Sequence, residues 1–259
     1  MRLKLLTTRK RQINAYCSIT SFFGISATVE FFERSTMQHL RIASQSIART
    51  TSLSWNKHDA GLRKNARDQH NDRRRNLALG SIGGYPGASD MSYLEYDCTL
   101  ENASLELAIL NCNHKSDPDF HFTGSNNLTT AYNGPYNSDI SSSKDVHFVE
   151  IWNIVDMWFK TRENSAKPLQ NLTPTENDTS KIPFLQMANA ATTKLGCAFH
   201  VCDASGIRNL SFVCMYGPPR VNIGVPLYNI GEPCSGCGGR NNSKCISNAL
   251  CNNTGLYGQ

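Results

Sequence analysis

The chain has 259 residues, of which 39% are hydrophobic and 18% charged, with a formal net charge of +5. That apolar share supports a core and excludes wholesale disorder, and the length suits one large domain or two small ones. No run reaches the roughly 18 apolar residues of a membrane-spanning helix, and the basic excess lies in the first 75 residues rather than interleaved with aromatics, so nucleic acid is not an expected partner.

Taken in order, Met1 to Gln12 form a basic opening, and the following stretch to Phe32 is only moderately apolar, interrupted by Asn14, Ser18 and Thr20. This reads as a degenerate signal peptide with small residues for cleavage near Ser26 and Ala27, or as a mispredicted leader without a fold of its own. A polar linker follows over 36–58. Leu62, Ala66, Leu77 and Ala78 then suit a helix ending at Gly80, and Gly83 to Gly87 form a loop. Met91, Leu94, Cys98, Leu105, Ala108, Ile109 and Cys112 recur at three- and four-residue steps and predict a second helix. A loop rich in Asp, Ser and Asn is expected up to about 145, then a third helix on Val149, Trp152, Val155, Trp158 and Phe159, ending before Pro168. The polar stretch 165–181 is expected to be an exposed loop. Gly196 to Cys202 and Leu210 to Tyr216 read as strands. Beyond Tyr228 the chain is rich in Gly, Asn and Cys and can hold together only through cross-links. Helices first, strands after and a stapled tail predict an α+β fold.

The chain has ten cysteines, and nine follow position 90: Cys98, Cys112, Cys197, Cys202, Cys214, Cys234, Cys237, Cys245 and Cys251. Cys234-Ser-Gly-Cys237 has no matching pair with which to build a zinc ribbon, so a disulfide framework in an oxidising compartment is the expectation. Seven Asn-x-Ser/Thr sequons, at Asn102, Asn127, Asn171, Asn177, Asn209, Asn241 and Asn252, point the same way as glycosylation candidates. Together they predict an extracellular, secreted protein.

Several segments resemble one family. His70-Asn71-Asp72-Arg73-Arg74 matches an HNxxR helix motif, and Leu195-Gly196-Cys197-Ala198 and Phe212-Val213-Cys214-Met215-Tyr216-Gly217-Pro218-Pro219 match its C-terminal signatures. They resemble the CAP superfamily of cysteine-rich secretory, antigen 5 and pathogenesis-related 1 proteins. Tyr96-Asp97-Cys98 and the tail Gly231 to Cys237, with Cys245 and Cys251, are similar to its nematode branch of activation-associated secreted proteins. The resemblance implies a three-layer α-β-α sandwich with an antiparallel sheet, a CAP domain over 55–228, a cysteine-rich hinge over 229–259 and a leader over 1–54. That branch usually has a further cysteine just ahead of the HNxxR helix; here Cys17 is the only N-terminal candidate. Either Cys17 is retained and pairs, or one of the other nine is free or intermolecular.

The resemblance also implies a cleft with two histidines and two glutamates that holds a divalent metal in some members. The first histidine is matched to His70. The glutamates fall on Ser125 or Asn126 and on Thr161, the second histidine falls on Pro183, and Asn189 stands where tryptophan is usual. One imidazole is too few for zinc, which takes three or four protein ligands. His114, His121 and His147 lie in variable loops with no ligand spacing, no Gly-x-Ser-x-Gly elbow occurs, and no cysteine sits in an activated context. The expectation is a protein without enzymatic activity or cofactor that binds an extracellular protein, a sterol or another lipid, in keeping with the host–parasite roles implied by the family. The alternatives are a metal-dependent hydrolase using a cleft around His70, and a pure lipid carrier.

Overall fold

The computed structural model describes residues 60–113, 131–139, 148–164, 169–204, 207–217, 221–237 and 244–252. Helix α1 spans Ala60–Ala78, strand β1 Glu95–Tyr96, helix α2 Cys98–Asn113, strand β2 Ala131–Asp139 and helix α3 Phe148–Lys160. Helix α4 (Ile182–Ala188) leads into β3 (Lys194–Ala204) and β4 (Ile207–Tyr216), and β5 (Lys244–Ile246) pairs with β6 (Leu250–Asn252) in the tail.

The main sheet has the order β1-β3-β4-β2. β3 and β4 pair antiparallel from Leu195 opposite Tyr216 to Ala204 opposite Ile207, and β2 pairs antiparallel with β4. Only the two-residue β1 runs parallel, to β3. Side chains alternate across the sheet. From β4, Val213 and Met215 pack with Leu107 and Ala108 of α2 in a small cluster. Leu210, Phe212, Cys214 and Tyr216 belong to the larger cluster with α1, α3 and α4. The two helical layers and the sheet between them make the expected α-β-α sandwich.

Local chemistry explains the element ends. α3 buries Ile151, Ile154, Val155, Trp158 and Phe159, one continuous helical stripe, and Trp158 stacks on Phe212 at 5.6 Å. α1 closes on Gly80 in the left-handed region (φ 67°), with Ser81 N donating to Asn76 O and Gly80 N to Leu77 O. That is a Schellman stop, which favours glycine because no Cβ opposes it.

Four sequence expectations need correction. The second helix does not extend back to Met91. It starts at Cys98, because the Asp97 carboxylate accepts from Thr99 N and Leu100 N and caps it there, while Met91 and Leu94 are core residues of an irregular lead-in. The expected loop up to 145 contains β2, whose apolar pattern is masked by Gly134-Pro135; the register shift between Asn133 and Tyr136 absorbs the missing proline N–H. Within 165–181, Leu172 and Pro174 are buried and Gln170–Leu172 and Glu176–Lys181 are 3-10 turns, the second closed by a Thr175–Asp178 capping box. Helix α4, with Pro183 in its first turn, was missing from the expectation altogether.

The tail is docked, not dangling. Cys251 N donates to Met91 O and Tyr93 N to Cys251 O, while Ala249 and Leu250 enter the main core. Cys234–Cys245 and Cys237–Cys251 cross-link it, and Cys197–Cys214 joins directly opposed residues of β3 and β4. Cys98 is also disulfide-bonded, and no described cysteine is free. The side chains of Cys112 and Cys202 lie outside the described part, although their backbones belong to α2 and β3.

Gly196 sets the spacing between α2 and the sheet. A Cβ there would lie 2.2 Å from Glu101 N and 2.5 Å from the Leu100 carbonyl carbon, so backbone meets backbone with no flexible side chain to yield. Gly196→Ala is expected to cost at least about 3 kcal/mol and to lower the thermal midpoint by on the order of 10 °C, measured by calorimetric unfolding.

Candidate functional site

The motif on α1 places three side chains inside the protein. His70 is 0% exposed. Its Nδ1–H donates to Ala66 O at 2.7 Å, which leaves Nε2 to accept from the Tyr216 hydroxyl at 2.8 Å. That arrangement requires the neutral ring. Burial, opposed by the Ala66 bond and reinforced by the charges of Arg73 and Arg74, lowers its pKa to about 3. Asn71 clamps Leu94 like a strand partner, donating to its O at 3.0 Å and accepting from its N at 2.8 Å.

Arg74 is likewise 0% exposed and faces no carboxylate at bonding distance. Its guanidinium donates to five backbone carbonyls: Ser92 at 2.7 and 2.9 Å, Met187 at 2.8 Å, Asn189 at 2.9 Å, Thr192 at 3.2 Å and Ala190 at 3.3 Å. Met187 and Asn189 lie at the C-terminal end of α4, where carbonyls lack helical partners and the dipole favours a cation. Burial lowers the Arg74 pKa. Arg73, one residue earlier, turns the other way, pairing with Asp156 at 3.2 Å and covering the Trp152 ring at 5.5 Å, which ties α1 to α3. Arg63 makes a two-pronged buried pair with Glu101 at 2.7 and 2.8 Å, tying α1 to α2.

His70, the one residue that matches the metal cleft implied by the resemblance, is thus placed in the core. With both ring nitrogens engaged and no solvent access, His70 is a core histidine of this fold and offers no electron pair to a metal. Thr161, at a matched glutamate position, donates to Trp158 O at 2.7 Å and accepts from Phe184 N at 3.1 Å, so it joins the end of α3 to the start of α4. Pro183 sits where its missing N–H is not needed, at the first turn of α4. Asn189 is buried beneath its bond to Arg74. Ser125, Asn126, His114, His121 and His147 lie outside the described residues. Among the described residues no three His, Cys, Asp or Glu side chains come together as a metal could require.

A concavity among the described residues is open to solvent. It is a cavity of about 290 Å³ between the Asn189–Ala191 turn and the segment Val221–Asn229, with Asp90 at one side. The Asp90 carboxylate is turned onto Asn229, accepting from its N at 3.0 Å and its Nδ2 at 2.7 Å. Val221, Val225, Pro226 and Leu227 supply apolar wall, and Val225 stands half exposed. No sequence signal marks this cavity, because its walls come from loops with no period.

The sequons divide. Asn102, Asn171 and Asn177 are exposed. Asn252, at 3% exposure, is packed inside, and a glycan has no room there in the folded chain. The side chains of Asn127, Asn209 and Asn241 lie outside the described part.

The His70 geometry fixes a pH dependence. Between the unfolded value of 6.5 and the folded value of about 3, the unfolded chain takes up a proton that the folded chain refuses. Stability is then full above pH ~6.5 and falls as pH drops toward 3, by on the order of 4 kcal/mol from this group alone. His70→Gln is expected to lower stability at pH 7 and flatten that decline, read from urea unfolding midpoints at several pH values. A decline of unchanged slope in the variant would assign it to other groups.

Comparison with known proteins agrees with this architecture. The CAP family, described as the cysteine-rich secretory protein family, matches residues 67–216. The chain is 26% identical over 181 residues to the "Cysteine-rich venom protein" of Tityus serrulatus, covering 69% of this chain and only 42% of that protein's length. It is 28% identical over 200 residues to "Scoloptoxin SSD552" of Scolopendra dehaani, covering 75% of this chain and 85% of that protein. The solved structure of BmVAL-1 superposes with a TM-score of 0.61 at 25% identity, over 73% of this chain and 93% of that one. With the helix motif at the start of the matched range, the C-terminal signatures at its end and the α-β-α sandwich in place, the chain belongs to the CAP family of cysteine-rich secretory proteins.

Proposed function

We propose that this chain is a secreted, non-enzymatic binding protein whose partner is an extracellular protein engaged at the cavity beside Asp90. The observation that carries the non-enzymatic reading is the fate of the motif residues: His70, Asn71 and Arg74 spend their polar atoms on internal bonds, and Thr161 and Pro183 stand as helix-end residues. A side chain used up in this way has no free proton or electron pair to offer a substrate. Secretion is supported by the disulfides, by three exposed sequons and by the secretory character of the family.

Size favours one of the two ligand classes expected from the sequence. Small-molecule sites run from about 300 to 1,000 Å³ and bury most of the ligand. At about 290 Å³ the described cavity sits at the lower edge of that range and is open on one side. It suits one or two inserted side chains of a protein, with Val225 on its wall, better than an enclosed sterol. A role in host–parasite interaction, as the family resemblance implies, would be exercised through such a contact.

Three measurements test the reading. Calorimetric titration of the secreted protein with zinc is expected to give no saturable heat; one-to-one binding abolished by His70→Gln would restore the hydrolase alternative. A parallel assay with labelled cholesterol is expected to show no saturable uptake, and stoichiometric uptake would turn the protein reading into a lipid one. Glycopeptide mapping of the same material is expected to find glycan at one or more of Asn102, Asn171 and Asn177 and none at Asn252. Glycan on Asn252, or a chain bare at all the exposed sequons, would count against the folded secretory product described above.

A further inference from the structure

We infer that the four cysteines of the tail form a thiol–disulfide exchange site with two pairings within reach, entered by an external thiol at Cys245. In the structure Cys234 is joined to Cys245 and Cys237 to Cys251, with Cα atoms 5.7 and 5.1 Å apart. Disulfides span Cα separations of about 4.4 to 6.8 Å, and a second pairing of the same residues meets that condition. Cys234 and Cys237 are the first and last residues of a turn, with Cys237 N donating to Cys234 O at 3.2 Å. Such a turn holds its end Cα atoms within about 7 Å, which lets a Cys-x-x-Cys segment close on itself. Cys245 and Cys251 stand directly opposite each other in the antiparallel pair β5–β6. Opposed Cα atoms there are about 4.5 to 5.5 Å apart. Each of the four cysteines thus has two others within bridging distance.

Exposure sets where exchange begins. Cys245 is exposed and Cys234 half-buried, whereas Cys237 and Cys251 are buried and Cys197–Cys214 is fully enclosed in the sheet. An external thiolate therefore meets Cys245 first. It bonds to the Cys245 sulfur, breaks Cys234–Cys245 and releases Cys234 as a thiolate. Cys234 then attacks Cys237, forming Cys234–Cys237 and releasing the Cys251 thiolate. Cys251 attacks the mixed disulfide on Cys245 across the hairpin, forming Cys245–Cys251 and returning the external thiolate. Each step makes one S–S bond and breaks one, so the exchange consumes neither oxidant nor reductant.

The two pairings tie different parts together. The present one fastens the β5–β6 hairpin to the segment 221–237, whose first half walls the cavity beside Asp90. The other closes the turn and the hairpin each on itself. The hairpin then keeps only its backbone bonds to Met91 and Tyr93 and the core contacts of Ala249 and Leu250. Exchange removes a covalent brace from one wall of the cavity without changing the number of disulfides.

The inference rests on the secreted reading only in needing these disulfides to form, and one experiment separates the two. Trypsin cuts after Arg220, Arg240 and Lys244, so Cys234 and Cys237 fall in one peptide and Cys245 and Cys251 in another. The present pairing links those peptides, and the other releases them as two self-closed peptides. The full chain, secreted from a eukaryotic host, is incubated without oxygen in the presence or absence of reduced glutathione. It is then quenched by alkylation, digested and mapped by mass spectrometry. Without glutathione the two peptides are expected to be linked. With limiting glutathione the self-closed pair is expected to rise by about tenfold with no matching gain of free thiols. The trapped mixed disulfide is expected on Cys245, with Cys197–Cys214 intact. A cluster locked in either pairing at every glutathione concentration that leaves Cys197–Cys214 closed overturns the inference. So does opening to free thiols with no self-closed pair, or a mixed disulfide on Cys237 or Cys251. Cys197 and Cys214 reduced in the secreted chain before glutathione is added would instead refute the secreted reading, and with it the basis for exchange.

Discussion

The fold depends most on a buried cation with no carboxylate within bonding reach among the described residues. Arg74 holds a full charge at zero exposure by donating to five carbonyls drawn from two separate stretches, Ser92 ahead of β1 and Met187 to Thr192 between α4 and β3. Charge-assisted bonds of this kind are about twice as strong as neutral ones, and their geometry is fixed by the planar fork. Without those carbonyls the desolvation penalty would be several kcal/mol, and without Arg74 each carbonyl would lose a donor in the interior. Each half is tolerable only in the presence of the other. The arrangement forms once and in one way, which sets α1, α4 and the start of β3 relative to one another.

His70 and Asn71 extend the same logic one turn earlier on α1. One reaches across to Tyr216 at the end of β4, the other takes Leu94 as a surrogate strand partner. A motif that looks like chemistry in sequence is, in three dimensions, a set of internal fasteners between the helical layer and the sheet. This is why the polar residues of α1 matter more to the architecture than its few apolar ones, and why the surface elsewhere is left to vary.

The legibility of the sequence follows from the same facts. α3 was readable because its buried face is a clean apolar stripe, and β3 and β4 because apolar runs are bounded by breakers. α1 was readable from Leu62, Ala66, Leu77, Ala78 and the Gly80 stop, although its buried face also includes Arg63, His70, Asn71, Arg73 and Arg74. β2 was missed because its stretch is rich in Asp, Ser and Asn, and the seven-residue α4 is too short to show a period; a register shift accommodates Pro135 in the first and a helix start accommodates Pro183 in the second. Which partners His70 takes in the core, Ala66 O and the Tyr216 hydroxyl, could not be read from spacing alone. The site fared worst: its cavity is assembled from the turn after α4 and the segment beyond β4, far apart in sequence and without period.

The docked tail has a consequence for how the molecule meets its own copies. A sheet exposes two rows of unpaired backbone groups at its margins, and these are templates for unwanted pairing between molecules. On one margin β1 is only two residues long, and the tail lays Cys251 against the lead-in to it, occupying Met91 O and Tyr93 N. On the other margin β2 carries Pro135, which has no N–H to offer, beside a break in register. Both borders are thus poor seeds for strand addition. By this construction the chain is guarded against polymerising through its sheet.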